Sequence, residues 1–243
     1  MSKKNRIRIY VQTELFVGQN VICDEKQSHY LLNVMRLKIG DEIYVFNGKD
    51  GEYCAKIESV YKKTCELSVS KKYGEYVQSP DVWLLFAPLK KDNTDFVVEK
   101  ATELGVRRLI PIITEYTSNL KPRTERLKLQ VIEASEQCRR QDIPEVSEAE
   151  TLQKTISSWD TSRKLVYLDE SMQSKPIKEQ IQLCNAPIAI LVGPEGGFSE
   201  KELEILRKLD YSYGVSLGKR ILRAETAAIA AIAIWQSCMG DWS

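Results

Sequence analysis

Hydrophobic and polar positions change rhythm once along this chain. Through residues 7–70 they alternate in short runs. Ile7–Val11, Val21–Cys23, Glu42–Phe46, Tyr53–Val60 and Thr64–Val69 read as strands. Asn47-Gly48-Lys49-Asp50-Gly51 reads as a hairpin turn, because Asn and Gly tolerate positive φ. Ser28 is placed to cap a short helix with Leu31, Leu32 and Met35 on one face, and Gly40-Asp41 ends that segment in a turn. These elements predict a compact small β-barrel with one inserted helix. Residues 71–81 keep no period and contain Gly74 and Pro80, which marks a boundary.

Beyond it, strands alternate with helices. Val82–Ala87 is a continuous apolar run, as expected of a strand covered on both faces. Asp92 or Asn93 can cap a helix that buries Val97, Ala101 and Leu104 and stops at Gly105. Arg108–Ile113 is a second strand, and Thr124–Arg140 a helix with Leu127, Val131, Ala134 and Cys138 on one stripe. Lys164–Leu168, Ile188–Val192 and Tyr213–Leu217 complete the strands. Ser199 and Glu202 form a capping box before Leu203 and Leu206. The last helix, about Glu225 to Gln236, is apolar almost all round and must be buried on several sides. The stretches Leu168–Met172 and Ser147–Arg163 are weakly patterned.

A net charge of +1 means that any nucleic-acid affinity rests on local patches. Lys3, Lys4, Arg6 and Arg8 precede any acid; Lys121, Arg123, Arg126 and Lys128 form a second group, Arg139 and Arg140 a third. Each reads equally well as a solvated face. The six cysteines have no C-x-x-C spacing and His29 is the one histidine, so a metal site is not expected. No apolar run of spanning length and no signal-peptide pattern is seen, so a cytoplasmic protein with reduced thiols and no membrane partner is expected.

Two loops carry the chemistry. Leu191–Leu203 (LVGPEGGFSEKEL) and Ser216–Ala231 (SLGKRILRAETAAIAA) each lead from a strand through a glycine-bearing loop into a helix. Ligands of open α/β sheets bind at such carboxyl ends. Gly193-Pro194-Glu195-Gly196-Gly197 matches neither G-x-G-x-x-G nor the P-loop spacing. Its glycines serve either a tight turn or a bare backbone against which a flat ligand can lie. In Leu217–Arg223, Ile221 and Leu222 offer an adenine slot with Arg223 aimed at a substrate; alternatively Arg223 pairs Glu225 or Glu195 as structural glue. With no histidine beyond His29, the usual neutral-pH base is missing from the second domain.

The chain resembles the RsmE family of small-subunit ribosomal RNA methyltransferases, within the SPOUT superfamily. The segments that carry the resemblance are HYLLNVMRLKIGD (29–41), LKKDNTDFVVEKATELGV (89–106), ERLKLQVIEASEQCRR (125–140), LVGPEGGF (191–198) and LGKRILRAETA (217–227). It implies an α/β fold: a small PUA-like RNA-binding β-barrel (1–72), a linker (73–81) and a trefoil-knotted SPOUT methyltransferase domain (82–243). It further implies a homodimer in the cytoplasm that acts on 16S rRNA or the 30S subunit. S-adenosyl-L-methionine would sit between the loop after Leu168, the GPEGG loop and the LGKRILR loop, held by Leu168, Gly193, Pro194, Glu195, Gly196, Gly197, Leu217, Gly218, Ile221, Leu222 and Arg223, with no metal. RNA would meet Arg6, Arg8, Arg36, Lys90, Arg139 and Arg140.

The implied reaction is methylation of N3 of one uridine. The imide proton must leave before N3 attacks, and a guanidinium eases that loss by stabilising the anion. Arg223 or Arg220 is expected to hold O2 or O4, with Glu225 or Glu195 taking the proton or orienting the arginine. Two other readings stand beside it: a SPOUT methyltransferase of a different rRNA or tRNA nucleotide, and a non-catalytic RNA-binding assembly factor. If the N-terminal cations meet phosphates, neutralising Arg6 and Arg8 weakens RNA binding and flattens its salt dependence.

Overall fold

The computed structural model describes residues 7–118, 122–171, 174–184 and 187–242. They form two compact units: residues up to Gln78 with Ser135–Ile143, and Ser79–Ala134 with Pro144–Ser243.

The first unit contains β1 (Arg8–Tyr10), β2 (Asn20–Ile22), α1 (Glu25–His29), β3 (Glu42–Phe46), β4 (Glu52–Tyr61) and β5 (Thr64–Gly74). The strands pair in the order β1-β3-β4-β5-β2, antiparallel except for β1 with β3. Alternation turns Ile43, Val45, Ile57, Leu67 and Val69 into one core with Ile9 and Val21. The 47–51 turn is tied by Asn47 Oδ1, which accepts from the backbone N–H groups of Lys49 (3.1 Å) and Asp50 (2.9 Å). Helix α1 is capped by Asp24, not by Ser28: Asp24 and Gln27 form a reciprocal capping box. Ser28 is buried inside the helix, where its Oγ accepts from the Cys65 N–H at 3.0 Å. The helix widens into a π-type turn over Tyr30–Val34.

Arg8 holds this unit together. Its side chain is buried and paired with Glu52, and it donates to the carbonyls of Ser135 (2.6 Å) and Arg140 (2.7 Å). Burial lowers its pKa from the ordinary arginine value, with Glu52 opposing. The Tyr10 N–H donates to the Glu136 carboxylate (2.8 Å), and the Val77 N–H to Gln141 Oε1 (2.8 Å). These bonds place Ser135–Ile143 in the first unit, although the sequence pattern assigns them to 82–243. Two RNA-contact expectations are thereby corrected. Arg8 is buried on internal acceptors, and the Arg140 side chain is buried against Asp142 at 2.7 Å, so neither guanidinium faces solvent phosphates. The expected linker at 73–81 also begins inside β5.

The second unit is built on a parallel sheet. Its elements are β6 (Val82–Phe86), α2 (Lys91–Glu103), β7 (Arg108–Ile113), α3 (Thr124–Cys138, whose last turn belongs to the first unit), β8 (Glu145–Val146), β9 (Glu150–Thr151) and α4 (Leu152–Ser157). Then follow β10 (Lys164–Leu168), β11 (Lys175–Pro176), α5 (Ile177–Gln182), β12 (Ile188–Val192), α6 (Glu200–Arg207), β13 (Ser212–Ser216) and α7 (Ala224–Met239). The order is β11-β13-β10-β12-β6-β7-β8, with β9 beside β7. Every residue of β12 is buried, which explains its unbroken apolar run. On one face Leu85, Ile110, Leu165, Leu191 and Leu206 pack together, and α7 packs against α2, α5 and β12. The α2 cap differs from expectation. Neither Asp92 nor Asn93 caps it; Thr94 Oγ1 instead accepts from the Leu89 N–H (2.9 Å) and donates to the Leu89 carbonyl (3.0 Å).

Removing one partner of a buried ion pair costs about 3–5 kcal/mol. Arg8→Ala should lower the stability of the N-terminal unit by that order, read from urea unfolding. The double variant Arg8→Ala/Glu52→Ala should lose less than the two single changes summed. A wild-type midpoint for Arg8→Ala would show that the pair carries no stability.

Candidate functional site

Three strands that are neighbours in the sheet, β13, β10 and β12, end on the same side, and the segments following them meet in one cavity of about 260 Å³. The central segment is Leu168-Asp169-Glu170. The Asp169 N–H continues the ladder to the Val215 carbonyl (2.9 Å), which fixes its backbone beside β13. Its Oδ2 accepts from Ser171 Oγ (2.9 Å) and Ser174 Oγ (2.6 Å), and Oδ1 from the Ser171 N–H (2.9 Å). Burial alone would raise the Asp169 pKa; the donors from Ser174 and Ser171 outweigh it and hold the carboxyl below its ordinary range.

The second wall runs from Val192 to Phe198, with Leu203 behind it. The capping box forms as expected: Ser199 Oγ accepts from the Glu202 N–H (3.3 Å), and Glu202 Oε2 from the Ser199 N–H (2.9 Å). Gly197 has φ +70, and a Cβ there would lie 2.3 Å from Glu170 Oε1. A side chain at this position would strain the backbone and displace a carboxylate that lines the cavity. The third wall comprises Val215, Leu217 and Gly218, then Arg220–Ala224 and Ala227.

The structure brings Leu168, Gly193, Pro194, Glu195, Gly197, Leu217, Gly218, Arg220, Ile221, Leu222 and Arg223 to this cavity. Two expected residues are not among its lining. Gly196 faces Tyr116 instead, and Glu225 sits in the first turn of α7 with a buried Oε2 that has no hydrogen-bond partner among the described residues. Ile221 is 77% exposed, so it forms a rim rather than the wall of a slot. Among the described residues Arg220 and Arg223 make no ion pair, so the structural-glue alternative for Arg223 has no support.

Asp169 and Glu170 line the cavity in the loop after Leu168, where the resemblance implies a cofactor wall; Val192, Phe198, Leu203, Val215, Ala224 and Ala227 line it beyond the residues expected from the sequence. The signal available for Asp169 and Glu170 was their place directly after a buried strand. Of the expected RNA contacts, Arg36, Lys90 and Arg139 are exposed, and Arg6 lies outside the described residues. Arg36 and Arg139 hold left-handed backbones (φ 56 and 67), unusual for a residue with a side chain. Among the described residues, no group of three His, Cys, Asp or Glu could hold a metal, and no helix is long and apolar enough to cross a membrane.

Comparison with known proteins adds an independent line. Residues 77–236 match the model of an RNA methyltransferase domain, and residues 22–70 that of an RNA methyltransferase PUA domain. A curated relative, Ribosomal RNA small subunit methyltransferase E of Rickettsia conorii, is 34% identical over 93% of each chain. The protein of that name from Buchnera aphidicola is 31% identical over 99% of this chain and all of its own. The crystal structure of a Ribosomal RNA small subunit methyltransferase E from Neisseria gonorrhoeae, bound to S-adenosyl methionine, superposes with a TM-score of 0.90 at 29% identity, covering 98% of this chain and 100% of that one. With both parts matched and the relatives covered nearly end to end, the chain belongs to the ribosomal RNA small subunit methyltransferase E family.

Proposed function

We propose that this protein transfers a methyl group from S-adenosylmethionine to N3 of a uridine in 16S ribosomal RNA. The observation that carries the reading is the cavity at the ends of β13, β10 and β12. It offers bare glycine backbone, apolar side chains, carboxylates and two arginines that have no ion-pair partner among the described residues, around one small volume. That donor set fits the cofactor. Val192, Leu217 and Leu222 suit a flat aromatic base, while Asp169, Glu170 and Glu195 suit a cation. Bound there, the cofactor supplies an electrophilic methyl group.

The chain's own task is to make a poor nucleophile competent. Arg220 and Arg223 are free to hold the uracil carbonyls and stabilise the anion left when N3 loses its proton. Glu195, at the cavity, is the first choice to receive that proton. Glu225, in the first turn of α7, would orient the arginine loop. RNA is held by Arg36, Lys90 and Arg139, with Arg6 as a further contact. The apolar α7 would pack against a second copy in a homodimer, and the chain after β12 would thread a loop to make the trefoil knot of the second domain. The first unit would close as a PUA-like barrel, and a ribosomal substrate implies a cytoplasmic location.

The direct test is methyl transfer from labelled cofactor to undermethylated 30S particles and to naked 16S rRNA, followed by mapping of the modified base. Label at uridine N3 of 16S rRNA is expected. No transfer to either substrate, or label on another base, overturns the reading. Arg223→Ala should lower turnover about 100-fold, the scale of losing one charge-stabilising donor. Arg223→Lys should recover little, since it keeps the charge but loses the planar fork; wild-type turnover in both variants would remove Arg223 from the mechanism. Asp169→Asn should weaken cofactor binding by calorimetry about tenfold or more. The Asp169 carboxyl is held low, so its contribution is complete above about pH 4 and fades as pH falls through the depressed pKa. Unchanged affinity in the variant would assign Asp169 to loop structure alone.

A further inference from the structure

We propose that Tyr116 is the residue on which the target base stacks when it enters the cavity. This rests on the reading above, that the substrate is a nucleobase in RNA. Tyr116 stands at the tip of the turn that follows β7, and 53% of it is exposed. An exposed tyrosine is usually a loose surface group, but this one is held. The Thr117 N–H donates to the Thr114 carbonyl (3.1 Å), and the Thr114 N–H donates to Thr117 Oγ1 (2.9 Å). The hydroxyls of Thr114 and Thr117 lie 2.8 Å apart. The Glu115 N–H donates to Glu202 Oε1 at 2.9 Å. Glu202 is the residue whose other oxygen caps α6, so one carboxylate fixes both the turn that bears Tyr116 and the loop that walls the cavity.

The ring lies against that loop. A Cβ at Gly196 would be 3.3 Å from Tyr116 Cβ and 3.7 Å from its Cγ and Cδ2. A side chain at Gly196 would press on Tyr116, and Glu195 and Gly197 on either side of Gly196 line the cavity. A side chain whose purpose was to fill a gap would be covered. Here Tyr116 packs against Gly196, whose two chain neighbours line the cavity, while about half of the tyrosine stays exposed. Enzymes that modify a base take it out of its stack, and an exposed aromatic face can take the place of the neighbouring bases it leaves behind. Stacking does not depend on the hydroxyl, so the ring and not the phenol should matter.

The test compares Tyr116→Ala, Tyr116→Leu and Tyr116→Phe with the wild type, using the RNA substrate that the wild type methylates. Thermal melting and S-adenosylmethionine calorimetry on each variant serve as controls for the loop. Loss of one base–aromatic stack corresponds to roughly a 5- to 150-fold fall in kcat/KM for RNA. That fall is expected for Ala and Leu, with cofactor affinity within about twofold of wild type, while Phe keeps wild-type efficiency. Wild-type kcat/KM in Tyr116→Ala overturns the inference. So does a defect in Tyr116→Phe equal to that of Ala, which would assign the hydroxyl, and so does a parallel loss of cofactor affinity, which would assign loop support. A wild-type protein that methylates no RNA is a separate outcome: it ends the proposed function, and this inference with it.

Discussion

β10 pairs in parallel with β12 on one side and β13 on the other, and everything at the site depends on that placement. The two glycine-bearing loops follow β12 and β13, which are not neighbours. With β10 between them, their separation is set by two strand spacings, about 9–10 Å in total. That gap is filled by the chain leaving β10, which brings Asp169 and Glu170 to its middle. A one-residue slip of β10 would exchange the faces of Leu165 and Val166 and carry Asp169 away from Val215. Burial of Leu165, Val166 and Tyr167 on both faces of the sheet opposes such a slip, so core packing and site geometry are one constraint.

The N-terminal unit is organised around a buried charge. Arg8 satisfies its guanidinium on Glu52 and on two carbonyls from a distant part of the chain. A desolvated arginine is tolerable only when its donors are matched in this way. Stacking over Phe46, with the guanidinium carbon 3.7 Å from the ring centroid, adds a further favourable contact. Phosphate binding at this residue would require breaking the pairing that holds Ser135–Ile143. The exposed arginines of the same unit, Arg36 and Arg139, carry no such burden.

Elements with a local cause could be read from the sequence; those caused at a distance could not. Lys164–Leu168 and Ile188–Val192 have the residues expected from their apolar runs, and Ser199 and Glu202 cap α6 because that motif is complete within four residues. The two-residue strands β8, β9 and β11 are too short to show a period. Ser28 resembles a cap in the sequence; the difference lies with Cys65 of β5, whose N–H donates to the serine hydroxyl on α1. Arg8 looks like a surface cation because nothing near it announces burial; Arg140 has its partner Asp142 only two positions on, a pairing that does not by itself show burial. The partners of Arg8 are 44, 127 and 132 positions away. The segment after Leu168 is weakly patterned in the same way: its place between the loops after β12 and β13 is set by sheet order, which is not a local property.

The charges at the cavity are sorted, and their sorting bears on mechanism. The carboxylates Asp169, Glu170 and Glu195 come from the segments after β10 and β12, while Arg220 and Arg223 come from the segment before α7. If the arginines paired with those acids, the field from each would be cancelled before a substrate arrived. Asp169 instead takes its donors from serines, which satisfy its lone pairs without neutralising it. Arg220 and Arg223 remain exposed, without ion pairs among the described residues. The proposed reaction, with a cationic cofactor and an anionic nucleophile, needs fields of opposite sign within one small volume. Such a separation can persist only if backbone, rather than mutual attraction, holds each charge in place, and the three-strand junction provides that.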